Sequence, residues 1–564
     1  MKNLNEDRCF LFYNATFFTL DENDTMVEAI LVIDGIIKNR GTRAELLRFW
    51  RENFQTNNYS LKEINLQQTY VYPGFIDAHL HPITCILNKT YFDCSKLSSL
   101  GQFKEELRKF AAAKANSEWV IGIKFNEQQF HNPQEKIFPT RYILDEIDTQ
   151  HPILVYRYDL HIVFLNSRAL ELLRIESHSA NFPSDFHGEI KVDSQGIPTG
   201  LLTEDAMKLV ENIMPQPEKL ILEKVMREFS MELASHGITA IGGVVSDFDL
   251  DTWKSLQYLK DMQQDIALYV NVKDPLLFFQ LRDELEQNFQ LLSHHLKIQG
   301  LKRFMDGSFG AKTAWLFEPY TNLSSNSGFC ATDLQLLGEE IEWAAKNNID
   351  VMVHAIGDRA NTELVNLIEK HWKIEPKIDF SEKKMKEVEK FPQKNPRIRI
   401  EHASMLSLAT IKKMAQINII PVCQPEFLRS ESNWLVNFIG ESRLNITYPF
   451  RDLLNHGLKL AGSSDAPVES VNILQAIKDC VVRYKINPNQ EISIKEALTL
   501  YTRNAAWAIH QEHIRGTLEI GKFADFVLLN QNLFTIDPYN FDSLEIQQTY
   551  KNGRRIYPPL NFKG

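Results

Sequence analysis

The apolar positions of this chain fall into zones with different periods. Near the start, apolar and aromatic residues run over 9–20, 29–33 and 36–40, with Asp34-Gly35 between the last two. Asp-Gly between two such runs predicts a two-residue hairpin turn, whose central positions both need a left-handed backbone. The end of the chain repeats the pattern: 526–530 reads as a strand, and 547–550 and 555–557 flank Asn552-Gly553. Termini commonly lie close together and edge strands need partners, so the two ends are predicted to share one small β-domain.

Between the ends, short continuous apolar runs alternate with stretches of helical period. The runs 71–78, 153–158, 238–245, 267–272, 300–305, 351–356, 398–402, 419–423 and 458–463 read as buried strands. The stretches 102–114, 219–236, 334–348 and 493–509 read as helices between them, the last opening on Ser493 and Glu496 as a capping box. This alternation predicts a parallel α/β core, with a closed (β/α)8 TIM barrel as the leading architecture. Nine runs for the eight places of such a barrel mean that at least one is misread or belongs to an insertion. Region 117–198 reads as an insertion on the barrel's mouth, and the Lys/Glu-dense 371–395 as a solvated extension of one βα unit. The predicted division is 1–70 plus 515–564 for the composite β-domain and 71–514 for the barrel.

Composition narrows the partners. The 564 residues carry 62 Lys plus Arg against 73 Asp plus Glu, a net charge of −11. That balance argues against nucleic acid and against an anionic membrane surface. Six cysteines without a C-x-x-C pair argue against a disulfide framework or a cysteine zinc knuckle, and fit a reducing, cytoplasmic setting. Cys423 reads as a core residue. No long apolar window and no basic N-terminal start are present, so neither a membrane span nor a signal peptide is expected.

The chemistry concentrates at strand ends. His79 and His81 stand two apart at the end of the run Pro73-Gly74-Phe75-Ile76-Asp77-Ala78, so both imidazoles face one point. Neutral imidazole is the commonest ligand of zinc-class metals. His354 ends the run at 351, His402 the run at 398, and Asp465 follows the run at 458. In a barrel these tips converge on one mouth, where catalytic groups sit.

These motifs resemble the amidohydrolase superfamily of metal-dependent hydrolases, in the branch that includes N-substituted formamide deformylases. The resemblance runs from about residue 10 to the C-terminus. It is carried further by Asp306-Gly307-Ser308, His354-Ala355-Ile356-Gly357-Asp358-Arg359-Ala360, Tyr448-Pro449-Phe450-Arg451 and Gly521-Lys522-Phe523-Ala524-Asp525. It implies a (β/α)8 barrel with a β-sandwich built from both termini. It also implies metal ligation by His79, His81, His354, His402 and Asp465, one or two divalent ions with zinc foremost, and a homodimer. Lys302 falls where relatives carry a carboxylated lysine bridging two ions; the other reading is a salt-bridged lysine, and adjacent Arg303 leaves the register open by one.

The implied reaction is hydrolysis of a C–N bond in a small amide, N-acyl or N-formyl compound. A metal-activated hydroxide would attack, Asp465 would shuttle the proton, and His402 would be a ligand or hold the carbonyl oxygen. His161, Asp306 and Lys312 are the substrate-binding candidates, His161 having a packed histidine as its other reading. Lys312 stands where relatives often have arginine, a point charge in place of a planar donor. The alternatives are a deaminase of the same superfamily and a non-catalytic barrel.

Overall fold

The computed structural model describes residues 8–55, 60–115, 118–158, 162–175, 188–211, 219–245, 256, 259–272, 275, 277–280, 282–283, 295–321, 323, 325–373 and 395–559. His161 and most of the predicted extension at 371–395 lie outside them. Eight parallel strands form the central sheet: Phe75–Leu80, Ile238–Val245, Asp265–Val270, Leu296–Phe304, Asp350–Ala355, Ile398–His402, Ile420–Cys423 and Ala461–Gly462, neighbours in that order. The last and first strands are stitched just past their ends. Asp465 N–H donates to His79 C=O and His81 N–H to Ala466 C=O, both at 2.8 Å.

The strands are largely apolar because both their faces are covered. Ile76, Ala78, Ala240, Val244, Ala267, Met352 and Val422 form one buried cluster, joined by Ala505, Ala506 and Ala508 from the helix Arg503–Ala508. The stretch predicted as one helix at 493–509 is two, Ile494–Leu500 and Arg503–Ala508. Thr502 interrupts it with non-helical φ −128° and ψ −97°. The capping box forms as read: Ser493 Oγ accepts from Glu496 N–H, and Glu496 Oε2 accepts from Ser493 N–H at 2.8 Å. Ser493→Ala is expected to cost about 1 kcal/mol, read as a lowered midpoint in urea denaturation.

The run at 153–158 is the one without a place in the barrel. As Ile153–Arg157 it sits in a second sheet with Phe92–Asp93, Val120–Phe125, Ile162–Leu165, Pro198–Glu204 and Gly188–Val192. This sheet belongs to a separate compact unit, Thr84–Val225, wider than the predicted 117–198. The difference has a packing cause. The helix Leu100–Ala112, read from sequence as a barrel helix, buries Phe103, Leu107 and Ala111 in the same cluster as Val120, Phe125 and Ile153.

The two chain ends meet in one seven-stranded sheet, ordered Arg554–Tyr557, Ile546–Lys551, Phe526–Leu529, Leu61–Pro73, Cys9–Phe18, Met26–Ile33, Ile36–Gly41. Both hairpin turns have the left-handed backbone their sequences call for: φ is +53° and +80° at Asp34-Gly35, and +50° and +70° at Asn552-Gly553. One apolar cluster gathers Phe10, Phe12, Phe17, Phe526 and Tyr550. Another joins Cys9, Leu11, Leu31 and Ile33 to Leu46 of the helix Arg43–Asn53. No helix among the described residues is long and apolar enough to cross a membrane.

Candidate metal centre

The site is assembled where the first and eighth strands meet. Asp77 is fully buried, and its Oδ1 accepts from the backbone N–H groups of His79 and Ser464, each at 3.1 Å. One carboxylate thus fixes the backbone on both sides of the seam. Asp465 Oδ1 lies 3.2 Å from His79 Nε2 and 3.1 Å from His81 Nε2. One ligand atom from each of these three residues lies within 4.8 Å of the others. Asp465 has φ +57°, a left-handed backbone that a non-glycine residue keeps only where its surroundings over-determine it. Burial opposes its charge, yet the imidazoles of His79, His81 and His402 hold the carboxyl well below the usual range.

His354 and His402 come from the fifth and sixth strands. Their rings lie 4.3 Å apart between centroids, and His402 is 5.5 Å from His79 by the same measure. His402 (φ +70°) and Ala403 (φ +45°) also carry left-handed backbone. Gln424 Nε2 donates to Ser463 Oγ at 2.9 Å, which turns its Oε1 toward His402 Nδ1 at 2.8 Å. That pairing puts the proton on Nδ1 and leaves Nε2 as the free acceptor. His354 is oriented oppositely: its Nε2 lies 3.0 Å from Gly307 C=O, so Nδ1 is left free. Burial pushes His402 down to about 4 and His354 well below its ordinary value, which keeps both in the neutral form that ligates.

Lys302 resolves its register through its neighbour. Arg303 pairs with Glu340 at 2.6 and 3.0 Å on the helix Leu334–Lys346, and so points away from the barrel axis. Lys302 is buried beside Phe304, with Nζ 4.7 Å from the ring centroid, and its charge acts on His79, His81, His354 and His402 alike. Burial pushes its ammonium down to about 8.

Two of the substrate candidates lie in the loop after the fourth strand. Asp306 uses both oxygens on backbone: Oδ1 accepts from Ile356 N–H at 3.0 Å, and Oδ2 from Trp315 and Gly357 N–H at 2.8 Å each. It clamps the loop after the fourth strand to the exit of the fifth. Burial pushes its carboxyl up to about 7. Lys312, at φ +59°, holds Nζ 4.8 Å above the Phe438 ring.

The donor set suits a zinc-class cation: imidazole nitrogens and a carboxylate at one buried point. The sharpest sign is His79 Nε2, which is buried and has no hydrogen-bond partner among the described residues. Its 3.2 Å approach to Asp465 Oδ1 lacks hydrogen-bond geometry. A buried nitrogen left so costs about 1–3 kcal/mol unless a cation takes its lone pair. The sequence profile of the amidohydrolase family matches residues 62–557. The chain belongs to the amidohydrolase family. YtcJ of Bacillus subtilis (strain 168) is 30% identical over 97% of this chain and 99% of its own. An N-substituted formamide deformylase of Arthrobacter pascens is 23% identical over 97% of this chain and 98% of its own. A solved structure titled an uncharacterised metal-dependent hydrolase, from Pyrococcus furiosus, is 25% identical, with TM-score 0.72 over 93% of this chain and 100% of its own.

Within this amidohydrolase site the structure adds residues that the motif reading passed over. Glu401 Oε2 lies 2.5 Å from His79 Nδ1, and both side chains are buried. Arg399 grips Glu401 with Nε to Oε1 at 2.9 Å and Nη2 to Oε2 at 3.0 Å. Burial alone would raise Glu401; Arg399 and His79 bring it down to about 2, so it stays ionised. Arg399 also donates to Ala78 C=O at 2.9 Å and to Ala508 C=O at 3.2 Å, the latter at a helix C-terminus that favours a cation. The signal was present in the sequence: Arg399 and Glu401 stand two apart in a strand whose faces are both buried, so neither charge has a solvated side.

Proposed function

We propose that this amidohydrolase is a metal-dependent hydrolase that cleaves a C–N bond in amide, N-acyl or N-formyl compounds. The observation that carries the reading is the orphaned His79 Nε2 beside the His81–Asp465 pair. The formamide deformylase relative supports the choice of bond. His79, His81, His354, His402 and Asp465 would hold one or two ions, most plainly zinc, with His79, His81 and Asp465 bringing their ligand atoms within 4.8 Å of one another. When bound, the metal acidifies water and polarises a carbonyl. The remaining tasks fall to the chain. Asp465 accepts a proton from the attacking water and returns it to the departing nitrogen. His402, fixed by Gln424, presents Nε2 as a ligand or as the group at the carbonyl oxygen. Lys302, with its ammonium brought down to about 8, is partly neutral at physiological pH. A neutral amine can add to carbon dioxide, lose a proton and become a carboxylate suited to bridge two ions.

The test joins metal analysis to a substrate screen. Purified protein should contain divalent metal and release an amine and an acid from N-formyl or N-acyl amines. A chelator should remove this activity and zinc restore it. Ammonia release from aminated bases without amide cleavage would sink the reading in favour of a deaminase. A protein that holds no metal and turns over neither class would be a scaffold.

A further inference from the structure

The motif from His354 to Ala360 contains an arginine, Arg359, that the proposed chemistry leaves without a task. Arg359 lies in the first turn of the helix Asp358–His371, directly beyond the His354 strand. A cation there opposes the helix dipole, which favours negative charge at an N-terminus. Its guanidinium lies 4.6 Å from the Trp315 ring centroid and 5.9 Å from that of Phe317. Its Nε is buried without a hydrogen bond. Among the described residues no carboxylate pairs with it, whereas Arg303, Arg397, Arg399 and Arg451 each hold a glutamate. Neighbouring Asp358 spends Oδ1 on the N–H groups of Phe317 and Arg359. In a chain of net charge −11, this guanidinium has no carboxylate partner among the described residues.

The aromatic platform beneath it is fixed to the metal centre. Asp306 Oδ2 takes Trp315 N–H at 2.8 Å, while its Oδ1 lies 3.6 Å from His354 Nε2. Trp315 C=O accepts from Ala360 N–H at 3.1 Å. Gly357 packs so tightly on that carbonyl that a Cβ there would come within 2.0 Å of the oxygen. Arg359, Trp315 and His354 are therefore held as one piece at the C-terminal ends of the fourth and fifth strands, the face where barrel enzymes take substrate. A guanidinium is planar and carries its donors in a fixed fork, the shape that grips a carboxylate with two parallel hydrogen bonds.

We propose that Arg359 binds a carboxylate of the substrate, remote from the scissile bond, so that the preferred substrates are N-acyl compounds bearing an acidic group, N-acyl amino acids among them. This rests on the C–N hydrolase reading above and extends it to the substrate class. The test compares hippurate (N-benzoylglycine) with neutral N-benzoylglycinamide on the full chain and on Arg359→Met and Arg359→Lys, by calorimetric titration and by turnover of both compounds. Hippurate should bind about ten- to hundredfold more weakly to Arg359→Met, the range of one charge-assisted contact. Arg359→Lys should recover part of the loss, and N-benzoylglycinamide should be unaffected. Circular dichroism checks that the variants fold. Wild-type protein that binds both compounds alike, or Arg359→Met that binds hippurate as well as wild type, overturns the assignment. Hippurate bound through Arg359 with neither compound cleaved would leave this anion site standing and defeat the amide-hydrolase reading instead.

Discussion

Asp465→Asn is expected to lower kcat by about two to four orders of magnitude, the span of general acid–base catalysis, with little change in melting behaviour. Asparagine is the informative replacement. It keeps the size of the side chain, and it tolerates the left-handed backbone at φ +57° better than alanine would. What it lacks is the charge and the capacity to take up a proton between the imidazoles of His79 and His81. Metal content measured on the same sample separates two losses. A variant that retains its metal but has lost turnover marks Asp465 as the proton carrier. A variant that has shed the metal marks it chiefly as a ligand. Near-normal kcat on an N-acyl amine would remove Asp465 from the mechanism altogether.

Much of this arrangement could be read from the chain because strand ends are where period and chemistry coincide. His79, His81, His354 and His402 each close an apolar run, and the barrel brings such tips together. The hairpins were legible for a local reason, since Asp34-Gly35 and Asn552-Gly553 encode their own backbone. Other features depend on contacts that sequence does not display. The left-handed backbone at His402 and Asp465, uncommon for any residue but glycine, is set by tertiary structure. The choice between Lys302 and Arg303 needed Glu340, a partner from the following helix. That three backbone N–H groups bond to the oxygens of Asp306 depends on loops that sequence alone does not place. The helix Leu100–Ala112 has an ordinary amphipathic pattern, and only its packing partners show which core it serves.

Glu401→Gln should weaken zinc binding by about ten- to hundredfold, the usual effect of losing the group that orients a ligating histidine. The ionised Glu401 accepts the Nδ1 proton of His79, which turns Nε2 toward Asp465 and makes that nitrogen a better donor. A glutamine at this place removes the charge and leaves the buried Arg399 uncompensated, so a cost of about 3–5 kcal/mol to the fold is expected as well. The two effects are separable. In Arg399→Met/Glu401→Gln the orphaned cation is gone, so denaturant stability should recover in large part while zinc affinity stays weak. If the double variant regains zinc affinity together with stability, Glu401 supports the fold and nothing more. If Glu401→Gln alone binds zinc as tightly as the parent, the carboxylate does not tune His79, and the metal's grip rests on the ligand geometry at the seam of the first and eighth strands.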